Sequence, residues 1–467
     1  MCTSTIVIPP CRAKRIGRQV VSQTLLAMLT EKAKEKTMTN PKKLMYVLVI
    51  VSLAAVLIAS APGPASAKSQ AGLDPGTQFY VPKPNPGALE QISDLIASRN
   101  TADANLIRRM IKRPQAVWFT KGTPETVERD VRKTVERAAD QGAVPVLVAY
   151  NIPFRDCAQF SAGGATNVAE YKAWIDGFAA GIGDAQAVVI LEPDGLGIIP
   201  WYNPFGNRDT WVTNPNYEWC QPAEANPATA AADRFEMLNY AVDELKSNPG
   251  TRVYLDGTHS GWLGAGDAAD RLILAGVNDA DGFFLNVSNY VVNPRLEKYG
   301  TWVAKCIAFG SNPASWGNGH TEWCASQYHP ANPNDFSSWS LSDQWYTDNV
   351  ESQTWWYSES VLKHFVIDTS RNGQGPWTPS ASYPDAQDWC NPPDRGLGVR
   401  PTADTGLTLL DAYLWIKIPG ESDGQCTRGL GPTGTVDPEW GIVDPAAGAW
   451  FPEMALDLVH NANPPLR

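Results

Sequence analysis

The stretch AVVILEPDGLG, residues 187–197, sets Glu192 and Asp194 around a proline, where five apolar residues read as a strand buried on both faces come to an end. Carboxyls are costly to bury unless they are paired or neutralised, so acids kept at such a place point to acid–base work or to a salt bridge. The pattern recurs at other apolar runs. Tyr150, Arg155 and Asp156 follow VPVLVAY (144–150), and Asp256 and His259 follow RVYLD (252–256). Asn286 and Asn289 follow GFFLNV (282–287), Asp368 and Arg371 follow KHFVID (363–368), and Lys417, Glu421 and Asp423 follow DAYLWIK (411–417). The chain has no histidine cluster, no Gly-rich phosphate cradle and no GxSxG elbow. Such a set fits acid–base chemistry on a neutral substrate. Eighteen tryptophans suggest a sugar, whose C–H faces stack on indoles. Glycoside hydrolysis needs one protonated carboxyl for the leaving oxygen and a carboxylate or assisted water on the other face. Crowded acids can keep one of their number protonated.

The elements that must position these residues are short apolar runs alternating with helical patterns. AVWF (116–119) is followed by a helix capped by Thr123-Pro124, with Val127, Val131, Val135 and Ala138 on one face. Further helices are expected near Val168–Gly181, Thr229–Lys246 and Phe451–Asn461. Seven or eight such units favour a parallel sheet closed into a barrel of the TIM type, whose reactive residues collect where strands end. Two segments break the rhythm. Residues 198–228 are rich in Trp, Asn and Pro, and residues 290–359 show no clean period yet hold Trp302, Trp316, Trp323, Trp339, Trp345, Trp355 and Trp356. Both read as long loops over the site rather than disorder, which is poor in aromatics.

Lys42 and Lys43 precede an apolar run, Leu44–Ala61, followed by PGPASA, which ends in the triplet Ala65-Ser66-Ala67. This reads as a secretory signal peptide cut after Ala67, with an internal start at Met38 as an option, leaving one domain over 68–467. A membrane anchor is the rival reading, but Pro62, Gly63 and Pro64 break the run. The first 67 residues hold nine Lys/Arg and two Asp/Glu, so the remainder carries 29 basic and 47 acidic side chains, a net charge of −18. Nucleic acid and anionic membrane are poor partners for that surface. Beyond Cys2 and Cys11 in the leader, six cysteines remain: Cys157, Cys220, Cys306, Cys324, Cys390 and Cys426. In an exported chain they suggest three disulfides, in any of fifteen pairings. No CxxC pair occurs and the five histidines are scattered, so neither metal nor other cofactor is expected.

YNIPFRDC (150–157), ILEPDGLG (190–197), YLDGTHSGWL (254–263), LNVSNY (285–290), DTSRNG (368–373), WCNPPDRGLGVRPT (389–402) and LWIKIPGESDG (414–424) resemble, in order, the motifs of glycoside hydrolase family six. The resemblance runs from about Trp118 to the C-terminus. It implies a distorted barrel, hydrolysis of β-1,4-glucan with inversion, and an extracellular enzyme, expected to be monomeric. Matched residue by residue, it implies Asp194 as proton donor, Asp156 as the acid that holds the donor protonated, and Asp423 as the proposed base. Tyr150 lies under the distorted ring, and Ser161, at a spacing that matches only loosely, positions water. Trp118, Trp262 and Trp389 are stacking platforms, and Lys417 and Glu421 bond glucose units. Asp256, His259 and Asn289 complete the substrate-binding set, although Asp256 and His259 are equally suited to a structural bond. A further platform after GWLG is replaced by Ala265. The resemblance also implies Cys157–Cys220 and Cys390–Cys426 disulfides, leaving Cys306–Cys324 to staple the 290–359 segment. Two long loops favour a tunnel and hence a cellobiohydrolase acting from non-reducing ends. An endoglucanase and a non-catalytic glucan-binding protein are the alternatives.

Overall fold

A computed structural model of the chain describes residues 72–205 and 217–466, all within one compact unit, Ser69–Arg467. The signal peptide, Met38 and residues 206–216 of the first long loop lie outside the described residues. Among the described residues no helix is long and apolar enough to cross a membrane.

Seven parallel strands form a curled sheet in chain order: β1 Val117–Phe119, β2 Val146–Ala149, β3 Ala187–Leu191, β4 Thr251–Asp256, β5 Gly282–Leu285, β6 His364–Asp368 and β7 Leu410–Leu414. Alternate residues of each strand pack on different sides. Val146, Val148, Val188, Ile190, Tyr254, Phe284, Val366 and Leu414 fill the interior. Leu147, Val189, Leu191, Val253, Leu255, Phe283 and Ile367 face the helices outside. Burial on both faces explains why these strands read as continuous apolar runs. Among the described residues no ladder joins β7 to β1. The Ala116 N–H instead donates to the Trp415 carbonyl at 2.9 Å, and the Trp118 indole to the Ile416 carbonyl at 2.8 Å. This seam is the distortion of the barrel.

Two helices not foreseen from the sequence, α1 Pro86–Ala97 and α2 Thr101–Ile111, precede β1. The connecting helices are α3 Pro124–Asp140, α4 Val168–Ile182, α5 Ala230–Lys246, α6 Ala265–Leu274 and α7 Asn293–Ser311, followed by the short α8 Ser340–Tyr346 and the C-terminal α9 Pro452–His460. The start of α3 follows from local chemistry: Thr123 Oγ1 accepts the Thr126 N–H, Pro124 opens the first turn, and Val127, Val131, Val135 and Ala138 face the core. The segment 290–359 is not an irregular loop over the site. It contains α7 and α8 and packs Trp302, Trp339, Tyr346 and Val350 into the layer outside the barrel. The three disulfides are Cys157–Cys220, Cys306–Cys324 and Cys390–Cys426.

Candidate functional site

The C-terminal ends of the strands surround a cavity of about 810 Å³. Twelve of the thirteen residues expected from sequence line it: Tyr150, Asp156, Ser161, Asp194, Trp118, His259, Trp262, Asn289, Trp389, Lys417, Glu421 and Asp423. Asp256 is the exception: its carboxylate serves the backbone rather than the cavity expected for it. It is buried, with Oδ1 accepting the Thr258 N–H at 2.8 Å and Oδ2 accepting those of Leu196 and Gly197, each at 3.2 Å. Asp256 therefore anchors the turn that follows Asp194. Ala265 is buried at the start of α6, away from the lining.

The two carboxylates after β3 separate because simple strand alternation stops at once. Glu192 and Asp194 both hold left-handed backbone, with φ of 55° and 62°, on either side of Pro193. Non-glycine residues adopt this conformation at a cost that the surroundings must offset. Glu192 is fully buried and accepts the Asn151 and Ile152 N–H groups at 3.0–3.1 Å, tying the end of β3 to the end of β2. Burial raises its pKa to about 7 against these bonds. Arg234 of α5 donates to the carbonyls of Pro153, Gly195 and Ile198, so one guanidinium holds the loops of Asp156 and Asp194 together. Gly197 has a packing reason: a Cβ there would come within 2.5 Å of the Trp262 ring.

Asp194 faces the cavity. Its pKa is pushed well above the carboxylate range, first by burial and then by the charges of Asp256, Asp156 and Asp423. Asp156 is raised to about 6, mainly by burial and against the Ser161 N–H that Oδ2 accepts at 2.7 Å. Arg155 beside it spans four carbonyls, those of Thr120, Tyr150, Ser161 and Ala162, and lies 4.5 Å over the Tyr150 ring. Asp423 differs from both. Burial pushes it up, but Arg371 at 2.8 Å and Lys417 at 3.2 Å outweigh burial and hold it below the ordinary value. The arrangement thus offers a proton held on one carboxyl, a neighbour poised near pH 6 and a fixed anion, all lining one cavity.

Aromatic rings line the rest. Trp118 meets Tyr150 edge-on at 5.3 Å, Trp389 lies 6.0 Å from Phe160, and His259 lies 5.9 Å from Trp262. Burial lowers the His259 pKa to about 4, so its ring is neutral above that value, and Nδ1 accepts the Gly261 N–H. Phe160, Trp219, Tyr290 and Asp388 line the cavity without having been singled out from sequence. Arg371 was visible at a strand end, but no spacing signal ties it to Asp423, 52 residues on. Among the described residues one group, Cys426, Asp437 and Asp444, is close enough to hold a metal ion, and the Cys426 sulfur is in a disulfide.

The family model described as Glycosyl hydrolases family 6 matches residues 74–462. Endoglucanase A of Thermobispora bispora is 32% identical over 389 residues, covering 83% of this chain and 63% of that protein. The probable 1,4-beta-D-glucan cellobiohydrolase C of Aspergillus niger is 28% identical over 414 residues, covering 83% and 77%. The chain thus spans less than two thirds of the endoglucanase and more of the cellobiohydrolase. The endoglucanase Cel6 of Mycobacterium tuberculosis, solved with methyl-cellobiosyl-4-deoxy-4-thio-β-D-cellobioside, superposes with a TM-score of 0.55 at 32% identity, covering 83% of this chain and 97% of that one.

Proposed function

The chain belongs to family 6 of the glycosyl hydrolases, and from that premise we propose that it is a secreted, monomeric cellulase that hydrolyses β-1,4-glucosidic bonds with inversion. The observation that carries this reading is the opposite protonation of Asp194 and Asp423 across one aromatic-lined cavity. Asp194 donates its proton to the glycosidic oxygen as the bond to C1 breaks. A water on the other face of the ring attacks C1 and gives up a proton. An acceptor works best with a pKa near the working pH. Asp423, held as an anion by two cations, is a weak acceptor and serves to stabilise positive charge developing at C1. Asp156, near 6, takes the proton through water beside Ser161. Tyr150 and Trp118 support the sugar at the reacting position, while Trp262 and Trp389 stack on neighbouring units and Lys417, Glu421, His259 and Asn289 bond their hydroxyls. Proton NMR of fresh product tests the proposal: the α anomer is expected, and an initial β anomer would contradict inversion.

We further propose exo action from non-reducing ends. Its support is a pair of clamped loops: Trp219 and Trp389 both line the cavity, each one residue before a disulfide cysteine. The 290–359 segment lends no support, since only Tyr290 and Val291 of it reach the lining. That same fact favours the second reading, an endoglucanase. Exo action releases reducing sugar from carboxymethylcellulose with little loss of viscosity; a rapid viscosity fall would establish the endo mode.

A further inference from the structure

The tryptophans of the 290–359 segment range from buried to exposed, with Trp323, Trp345 and Trp356 half-buried. Trp302 and Trp339 are buried, whereas Trp316 and Trp355 are 51% and 68% exposed. Exposed indoles usually keep their N–H for solvent or a ligand, but here both are already used. Trp316 Nε1 donates to the Asn349 carbonyl at 3.3 Å and Trp355 Nε1 to the Ala314 carbonyl at 3.2 Å, which fixes each ring and leaves apolar surface on offer. The second bond also brings Trp355 beside the backbone that carries Trp316.

The platform is built rather than incidental. Trp316 stacks on Trp323 at 5.5 Å and 22°, and Trp323 on His320 at 3.9 Å and 3°, while Phe309 meets Trp316 edge-on at 4.8 Å. Gly317 lets the chain pass this close: a Cβ there would come within 1.9 Å of the Phe309 ring. The stretches that carry the two indoles, NPASWGN (312–318) and SQTWWYS (352–358), hold no charged residue in a chain of net charge −11. A fixed aromatic face on stretches whose polar side chains are amides and hydroxyls, with Glu351 and Glu359 flanking only the second, suits an uncharged polyol with apolar C–H faces. It does not suit an ion or a charged peptide. The same segment braces the loop that carries Trp262: Gln327 Nε2 donates to the Ser260 and Leu263 carbonyls, and the Tyr328 hydroxyl to the Trp262 carbonyl.

We propose that Trp316 and Trp355 form a second β-glucan binding site outside the catalytic cavity, one that holds the enzyme on insoluble substrate. This rests on the glucanase reading above. The test is partition onto swollen cellulose of a catalytically silent Asp194→Ala protein, alone and with Trp316→Ala or Trp355→Ala added. Each indole loss is expected to weaken partition about fivefold, equivalent to roughly 1 kcal/mol. Turnover of soluble cellotetraose by enzyme carrying only the tryptophan change stays at the parental level. Trp355→Ala guards against misfolding, because that ring is the more exposed. Unchanged partition in both variants overturns the proposal. So does a change in sedimentation without a change in partition, which would make the patch a contact between copies of the chain. If the parental enzyme fails to cleave cellotetraose, the glucanase reading itself falls; if it cleaves and partition is unmoved, only the second site does.

Discussion

The β3 and β7 sides of the cavity use the same side chain to opposite ends. On the β3 side, Asp194 is buried near other carboxyls, with no cation within ion-pair distance among the described residues, and it retains its proton. On the β7 side, Asp423 is also buried, but Arg371 and Lys417 keep it charged. Burial works in the same direction on both, so the cations decide the outcome. Acid and anion are therefore set by neighbours that come from β6 and the loop after β7.

The contrast breaks most completely at Asp194. Asp194→Ala is expected to lower turnover of β-glucan by about 10²–10⁴-fold, the usual worth of a general acid, as read from initial rates. Next comes Arg371→Met, which strands a buried carboxylate with Lys417 alone. With Lys417 still in place the loss of one partner costs about 1–3 kcal/mol, to be seen in denaturant unfolding, and Asp423 should titrate at higher pH. Asp156→Asn acts on the β3 side. If Asp156 accepts the proton, the acid limb near pH 6 disappears from the kcat/KM profile. The basic limb, which reports Asp194, moves to lower pH because a like charge that raises its pKa is gone. Asp256→Asn removes the largest of the charges that raise Asp194. It moves the basic limb in the same direction by roughly one pH unit or less and leaves the acid limb in place; an alkaline shift would contradict the charge argument.

How far the sequence revealed this contrast differs between its two sides. AVVIL coincides with β3, and the other apolar runs match their strands to within two or three residues, because burial on both faces leaves an uninterrupted apolar signature. The rim residues were legible because strand ends carry them. Helix α7 was not legible: Leu296, Tyr299, Trp302, Val303, Cys306 and Ile307 bury so much of its circumference that little amphipathic contrast remains. The tryptophans of the 290–359 segment then suggested a roof over the cleft, whereas Trp302 and Trp339 pack outside the barrel. Asp256 looked like a rim residue and serves the backbone below it, since a carboxylate at a strand end reads the same whether it faces substrate or N–H groups. Simple strand alternation would set Glu192 and Asp194 on one side, and left-handed backbone at both residues, with Pro193 between them, undoes that rule. The Asp423–Arg371 pair joins two loops that no local pattern connects.

The central claim is that Asp194 holds the proton given to the leaving group. It is tested most directly by comparing wild type and Asp194→Ala on β-glucan and on 2,4-dinitrophenyl β-cellobioside, whose leaving group needs no proton. The account predicts a large loss on glucan, a far smaller one on the activated substrate, and no basic limb for the variant on that substrate. An equal loss on both substrates would contradict it.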